Sequence, residues 1–183
     1  MLFTVAFLSS CRQSTTPKPR GYFRIELPEK KYVSVSPEGC PFSFEIPEYA
    51  EVQPDVDRYA EPCWMNIVFR NFNGEINISY KKIAGNLSQY TNDSRSLVYK
   101  HTVRAEAIDE KRIYHPEKTI YGLMYDIGGN AASSVQFYIT DSTNHFIRAA
   151  LYFNVPPQSD SLAPVIEFIK ADIGHLVNTW KWK

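Results

Sequence analysis

The clearest hydrophobic periodicity in this chain of 183 residues lies near its C-terminal end. From residue 162 to residue 180 the apolar positions step by three or four, with two adjacent pairs, which is the spacing of one helix face. Asp160 or Ser161 could cap such a helix, and Pro164 is tolerated in its first turn. The stripe comprises Leu162, Val165, Ile166, Ile169, Ile173, Leu176, Val177 and Trp180. We predict a helix that packs this stripe across a sheet.

Alternating apolar and polar positions predict β-strands upstream of this helix. In residues 42–46 every second side chain is apolar, and Pro47 ends the segment. Residues 64–71 and 75–83 alternate in the same way, and the turn between them, at residues 71–74, predicts a hairpin.

A second helical pattern follows the hairpin. Apolar residues recur at roughly helical spacing in residues 86–99, and Asn86 or Ser88 could cap the helix. The apolar positions are Leu87, Tyr90, Leu97 and Val98. We predict a short helix that is more polar than the C-terminal one.

Four strand-like segments come next, at residues 102–116, 118–129, 132–142 and 144–155. Their short connections predict an antiparallel meander. The last segment has one apolar face, made of Ile147, Ala149, Leu151, Phe153 and Val155. The element order predicts an α+β fold, a mostly antiparallel sheet covered by helices. This order resembles the PsbP/Mog1 type of sandwich, whose members are mostly accessory proteins rather than enzymes.

The composition suits a folded, β-rich protein. Aromatic residues make up 14% of the chain, and their rings fit the half-buried face of a pleated sheet. The 20 basic and 20 acidic residues cancel, so no global field attracts nucleic acid. No stretch reaches the ~18 apolar residues that a membrane-spanning helix needs.

The N-terminal segment resembles a bacterial lipoprotein signal. Residues 2–8 are mostly apolar, and two serines then precede Cys11. The sequence Leu-Ser-Ser-Cys resembles the lipobox, in which the cysteine is acylated and becomes the new N-terminus, and two or more chains make such anchoring stable. A basic n-region is missing, so we expect that the true start lies upstream or that the segment was trimmed. A buried Cys11 in an N-terminal strand is the less favoured alternative.

These features divide the chain into three predicted regions. Residues 1–10 are a lipoprotein signal peptide, and residues 11–21 are the lipidated Cys11 and a flexible tether. The Pro-rich part of that tether would span ~28 Å in a polyproline-like conformation. Residues 22–183 form a single globular α+β domain.

Two further cysteines, Cys40 and Cys63, each stand just before a predicted strand. Because a lipoprotein crosses into an oxidising compartment, we predict a disulfide between them. Two reduced thiols, or half of a metal site, are the alternatives. The sequence contains no CxxC pair and no zinc-type spacing of histidines, so neither a metal ion nor a cofactor is expected.

The segment YDIGGNAASSVQF raises a catalytic hypothesis. Gly128, Gly129 and Asn130 could turn the chain sharply and present Ser133 or Ser134 for acyl transfer. The candidate bases are Asp126, His101 and His145. A plain Gly-Gly-Asn turn between two strands explains the same residues, and we favour it.

Several segments, taken with the lipobox, resemble one family. They are PKPRGYFRIELPEKKY, CPFSFEI, CWMNI, YKHTVRAEAI and above all YGLMYDIGGNAASSVQFYITDSTNHFIRAALYF. They resemble the gliding-motility lipoprotein GldD of Bacteroidetes from Cys11 to the terminal WKWK. The resemblance implies an essential component of gliding motility that is linked with the type IX secretion machinery. It implies no enzymatic activity and no cofactor.

We therefore expect a lipid-anchored, non-catalytic assembly or stabilising factor on the periplasmic side of the outer membrane. Its expected partners are other gliding-motility or type IX secretion lipoproteins and envelope proteins, without nucleic acid. An envelope serine hydrolase or acyltransferase is the alternative, and a lipid or glycan carrier with an apolar cavity is a third hypothesis. Contact could use the sheet or an exposed Trp180 and Trp182, although burial of Trp180 in the helix face is favoured.

Overall fold

The computed structural model describes residues 25–100, 105–155 and 159–183. The predicted signal peptide, Cys11, most of the N-terminal region and His101 lie outside these residues. The described elements, in chain order, are β1 (Tyr32–Val35), β2 (Phe42–Pro47), β3 (Glu51–Pro54), β4 (Met65–Phe69), β5 (Gly74–Lys82), α1 (Leu87–Tyr99), β6 (Ala105–His115), β7 (Ile120–Gly129), β8 (Ser133–Thr140), β9 (His145–Phe153), α2 (Ser159–Thr179) and β10 (Lys181–Trp182).

The described strands form two antiparallel sheets. The larger has seven strands in the order β3-β4-β5-β9-β8-β7-β6, and the smaller has the order β1-β2-β10. The predicted hairpin of β4 and β5 and the predicted meander of β6 to β9 are both confirmed. The two motifs join where β5 pairs with β9 over nine residue pairs, from Gly74–Phe153 to Lys82–His145.

The main core lies between α2, β2 and the inner face of the larger sheet. Most of the predicted stripe is buried there: Ile169 is 0% exposed and Ile173 is 1% exposed, whereas Leu162 and Ile166 are only partly buried. Trp180, the last residue of the stripe, follows the end of α2. Trp180, also 0% exposed, stacks on Phe42 and Phe44 with ring centroids 4.8 and 4.9 Å apart. Aromatic pairs of this kind contribute ~0.5–1.5 kcal/mol beyond their buried area.

A second core lies on the opposite face of the meander, under α1. Val98 of α1 packs there with Tyr125 and Ile127 of β7. This layer changes the expectation for β9, for which one apolar face was predicted. Phe146 and Ala150, on its other face, are also buried, whereas Val155 lies beyond the strand and is exposed. Strands that are covered on both faces lose the simple alternation of a one-sided strand.

The short strands β1, β3 and β10, which have four, four and two residues, were not predicted from the sequence. Such lengths are too short to show a period of two. Asn86 occupies the N-cap position of α1, as predicted, but its side chain accepts a hydrogen bond from the Ala84 N–H and makes no capping bond to the helix. In α2, which begins at Ser159, both predicted caps lie inside the helix.

A disulfide bond joins Cys40 and Cys63 in the structure, with Cα atoms 5.7 Å apart. It connects the segment before β2 to the segment before β4. The two cysteines are separated by 23 residues, so the bond closes a loop of intermediate length.

We expect the double variant Cys40→Ala, Cys63→Ala to lose ~3 kcal/mol of unfolding free energy, because the crosslink restricts the unfolded chain. Urea denaturation of oxidised protein, reduced protein and the double variant measures this loss. Reduced protein and the double variant should agree with each other. Equal midpoints for all three samples would contradict the prediction.

Candidate functional site

The Gly-rich turn leads from β7 into β8. Gly129 has a φ of +84°, a conformation that other residues rarely adopt, so the turn itself accounts for this glycine. A Cβ added to Gly128 would meet nothing closer than the Ala107 backbone at 3.8 Å. Gly128 and Asn130 are exposed. The geometry is that of the plain turn favoured above.

The structure does not assemble the catalytic pair considered for this turn. Ser133 is 0% exposed, and its hydroxyl donates to the Val135 carbonyl oxygen at 3.3 Å. Ser134 lies where the register between β8 and β9 shifts. Ser133 pairs with Tyr152, at the opposite end of β9 from His145. Seven residues of strand place the serine and this histidine ~23 Å apart.

The other candidate bases do not complete a catalytic site within the described residues. Asp126 forms an ion pair with Lys170 of α2. The Nδ1 atom of His145 lies 2.9 Å from the Tyr80 hydroxyl, and the His145 ring stacks on Trp182. His101 lies outside the described residues.

A buried polar cluster that the sequence analysis missed ties the N-terminal segment to α2. Asp172, 2% exposed, accepts hydrogen bonds through Oδ1 from the Lys30 ammonium at 2.6 Å and the Tyr32 hydroxyl at 2.9 Å. Its Oδ2 accepts one from the Tyr49 hydroxyl at 2.6 Å. We call Lys30, Tyr32, Tyr49 and Asp172 the Asp172 cluster. Both carboxylate oxygens are used within it, so it serves the fold and leaves little room for a ligand.

The sequence contains one signal for the Asp172 cluster, on the apolar stripe of α2. Asp172 stands three residues after Ile169 and four before Leu176, which places a carboxylate on the apolar stripe of α2. A charge in such a position requires partners. Beside the cluster, His175 stacks on Tyr32 with ring centroids 3.6 Å apart, and its Nε2 lies 2.7 Å from a Glu45 carboxylate oxygen.

The Asp172 cluster predicts a late tyrosine titration. Burial, and then the hydrogen bond to Asp172 and its charge, raise the pKa of Tyr32 from 10.0 to about 12, and the same causes raise the pKa of Tyr49. Because the folded protein holds these protons more tightly, their stabilising effect is complete below pH 10 and is lost as the pH rises towards 12.

Tyrosinate absorbance during an alkaline titration measures this effect. We expect a class of tyrosines that ionises only well above pH 10, together with unfolding. Tyr32→Phe should remove absorbance from this late class. Complete ionisation near pH 10 while the protein remains folded would refute the prediction.

The loop at residues 55–63, called the 55–63 loop below, presents apolar side chains to solvent. Val56 is 93% exposed and Tyr59 is 68% exposed. Two side-chain turns shape the loop, since the Asp55 carboxylate accepts from the Asp57 N–H and the Asp57 carboxylate accepts from the Tyr59 N–H. Cys63 fixes its far end through the disulfide. Exposed apolar groups on a constrained loop are suited to contact a partner protein.

The tryptophans at the C-terminal end do not form an exposed cluster. Trp180 is fully buried, as the favoured interpretation predicted. Trp182 is half-buried, and its indole N–H donates to the Thr119 carbonyl oxygen at 3.2 Å. The exposed apolar side chains of the 55–63 loop are therefore the better candidates for contact.

A cleft of about 430 Å³ opens between α1 and the β5–β9 part of the larger sheet. Arg148 of β9 and Ser79 of β5 lie on its floor, and Tyr90 and Ser94 of α1 form one wall. Trp64 lines the other side, next to the 55–63 loop. Sequence reasoning missed this cleft because its residues come from four separate segments.

Neither metal ligation nor membrane spanning is indicated in the part of the chain that the structure describes. Within residues 25–100, 105–155 and 159–183, no group of three or more His, Cys, Asp or Glu side chains is placed to hold a metal ion. In the same ranges, no helix combines the length and apolar character needed to cross a bilayer.

Comparison with solved structures confirms the predicted sandwich. The solution structure of cyanobacterial PsbP (CyanoP) from Synechocystis sp. PCC 6803 is similar with a TM-score of 0.51 and 11% sequence identity. The match covers 86% of this chain and 95% of that chain. A likeness at this identity shows the fold alone.

Comparison of sequences identifies the family. No curated protein matches the chain. The family model described as gliding motility lipoprotein GldD matches residues 12–182, which is nearly the whole chain. Members of a lipoprotein family are anchored in the cell envelope through lipid, and this family is associated with gliding motility. The chain belongs to the gliding motility lipoprotein GldD family.

Proposed function

We propose that this lipoprotein is a non-catalytic assembly or stabilising factor of the gliding apparatus and of the associated type IX secretion machinery of Bacteroidetes. The observation that carries the proposal is the 55–63 loop, where Val56 is 93% exposed on a loop fixed by a disulfide and two side-chain turns. A rigid apolar projection loses little conformational entropy when a partner protein covers it. Its partners are other motility or secretion proteins of the envelope.

The proposed location is the periplasmic side of the outer membrane, with acyl chains on Cys11. The lipobox-like segment before Cys11 and the family match support this placement. Intact-mass analysis of the protein from its native host should show acyl groups on an N-terminal Cys11. An unmodified thiol would refute the anchor.

A deletion strain tests the assembly role. We expect deletion to lower the amount, or the assembly, of other gliding and secretion proteins in the envelope and to stop gliding of single cells. Normal levels and normal complexes of those proteins in the deletion strain would refute an assembly role.

Complementation of the deletion strain with matched variants tests whether partner proteins contact the 55–63 loop. Tyr59 and Tyr114 are both exposed, at 68% and 54%, and each lies beneath an arginine, with guanidinium-to-ring distances of 4.4 and 4.5 Å. We expect Tyr59→Ser combined with Val56→Asp to fail to restore partner levels, and Tyr114→Ser to restore them. Ser134→Ala should also restore them, since the proposed role requires no serine chemistry. Full restoration by the loop variant would show that partners bind elsewhere.

A further inference from the structure

The cleft beside α1 carries hydrogen-bond donors that have nothing to donate to. One nitrogen of the Arg148 guanidinium, Nη2, donates to the Gln136 side-chain oxygen at 2.6 Å, and its other donors have no partner among the described residues. Gln136 is 1% exposed, and its side-chain nitrogen is buried without a partner. Ser94, 4% exposed on the α1 wall, has no side-chain hydrogen bond within the described ranges.

Unmet donors of this kind are costly in a folded protein. A buried polar group without a partner costs ~1–3 kcal/mol, and native structures contain few of them. The Gln136 nitrogen is one such group among the described residues, and it lies behind Arg148. The Arg148 guanidinium and the Ser94 hydroxyl line the cleft and add two further donors that the described protein groups do not fully use. All three can donate, and Arg148 and the Gln136 nitrogen can only donate. An acceptor-only group with two oxygens would satisfy Arg148 and Ser94 together, since both line the cleft.

The charged side chains of the cleft leave room for one negative charge, placed on Arg148. Arg148 has no carboxylate within ion-pair distance among the described residues. The other cation of the cleft, Lys81, is already paired with Glu61. Asp55 and Asp93 also line the cleft and would repel a ligand with several negative charges. The ligand group is therefore a monoanion, and a carboxylate fits the planar guanidinium through two parallel hydrogen bonds.

The remaining surface of the cleft is apolar and aromatic. Ile78 and Phe146, 2% and 3% exposed, contribute to it together with Leu97 and Tyr90. Trp64 is held in place on the opposite side by its indole N–H, which donates to the Tyr80 carbonyl oxygen at 2.9 Å. Mostly apolar walls around a few placed polar groups are typical of sites for small organic ligands.

We propose that this cleft binds a monocarboxylate with an apolar body, with its carboxylate on Arg148 and its body between Trp64, Tyr90 and Phe146. Arg148 binds the charge, Gln136 holds the guanidinium in position, and Ser94 donates from the opposite wall. The ligand is either a free organic acid or the carboxyl terminus of a peptide. This inference does not depend on the proposed assembly role.

Calorimetric titration tests the site. The protein is the full chain with Cys11→Ser, so that no attached acyl chain competes with the probes for the cleft. The probes are 3-phenylpropionate, its alcohol counterpart 3-phenylpropanol, and acetate. We expect the acid to bind at least ~10-fold more tightly than the alcohol or acetate, since a tenfold difference is the minimum for one charge-assisted contact. Equal binding of acid and alcohol would overturn the proposal.

A further titration distinguishes a free organic acid from the carboxyl terminus of a peptide as the ligand. It compares a peptide ending in phenylalanine that has a free carboxyl terminus with the same peptide amidated at that terminus. Preference for the free terminus over the amide, with tighter binding than 3-phenylpropionate, assigns the site to peptide ends. Tighter binding of 3-phenylpropionate assigns it to free acids. A lack of preference for the carboxylate in both series refutes the site.

Variants separate binding from folding. Arg148→Gln should reduce binding of the acid to the level of the alcohol, whereas Arg112→Gln, at an exposed arginine above Tyr114, should leave it unchanged. Ser94→Ala should weaken binding of the acid several-fold and should leave the protein folded, because alanine is a better helix former than serine. Thermal melts verify that each variant is folded. Wild-type binding of the acid by folded Arg148→Gln or Ser94→Ala protein would overturn the assignment.

Discussion

Replacement of Asp172 by alanine is expected to lower the unfolding free energy by ~3–5 kcal/mol, the cost of breaking a buried ion pair by removing one partner. The carboxylate accepts from the Lys30 ammonium, the Tyr32 hydroxyl and the Tyr49 hydroxyl, and it is 2% exposed. Its removal leaves three donors without their acceptor. It also releases the N-terminal segment from α2.

Urea denaturation and thermal melts followed by circular dichroism measure this loss. For a chain of this size, each kcal/mol corresponds to ~2–4 °C in melting temperature, so we expect a drop of roughly 10 °C. Asp109→Ala, at an exposed carboxylate on β6, is the control and should change stability by no more than ~0.5 kcal/mol. The explanation fails if the Asp172 variant behaves like this control.

Gly122→Ala is the second change for which we expect a large effect. Gly122 of β7 pairs with Ile139 of β8, and an added Cβ would lie 1.9 Å from the Tyr138 carbonyl oxygen and 3.1 Å from the Ile139 Cα. These are backbone atoms, so no side-chain rotation relieves the overlap. The strands would have to separate in the middle of the meander, and we expect a loss of at least ~3 kcal/mol, at the upper end of overpacking effects.

Gly174→Ala is a matched control for this substitution. Gly174 lies within α2, and a Cβ added there would meet nothing within 4 Å. Because alanine favours the helix by ~0.8–1.0 kcal/mol over glycine, this variant should be more stable than the wild type. The two alanine variants should therefore shift the denaturation midpoint in opposite directions. A small shift for Gly122→Ala would show that β7 and β8 do not approach each other this closely.

Much of the fold followed from local patterns. The stripe on α2, the hairpin of β4 and β5 and the meander of β6 to β9 were all predicted with nearly the observed bounds. Each depends on side-chain spacing within ~10–20 consecutive residues, a range over which helix and strand periods are visible. The family resemblance also depended on local segments, and the family match confirmed it.

The candidate sites were harder to predict from sequence. The Gly-Gly-Asn turn drew attention because its residue types suit catalysis, yet pairing along β9 places Ser133 far from His145. The Asp172 cluster joins residues up to 142 positions apart, and neither Lys30 nor Tyr32 stands in a pattern that identifies its partner. The cleft beside α1 likewise draws its donors from α1, β8 and β9.

By itself, the sequence determined the type and approximate extent of the long elements, the lipobox-like N-terminal segment and the family. The tertiary structure alone decided the pairing of β5 with β9, the burial of the meander on both faces and the partners of Asp172 and Arg148. The reason is physical. Periodicity records which side of an element is apolar, whereas the identity of the element that covers it depends on contacts between segments distant in the chain.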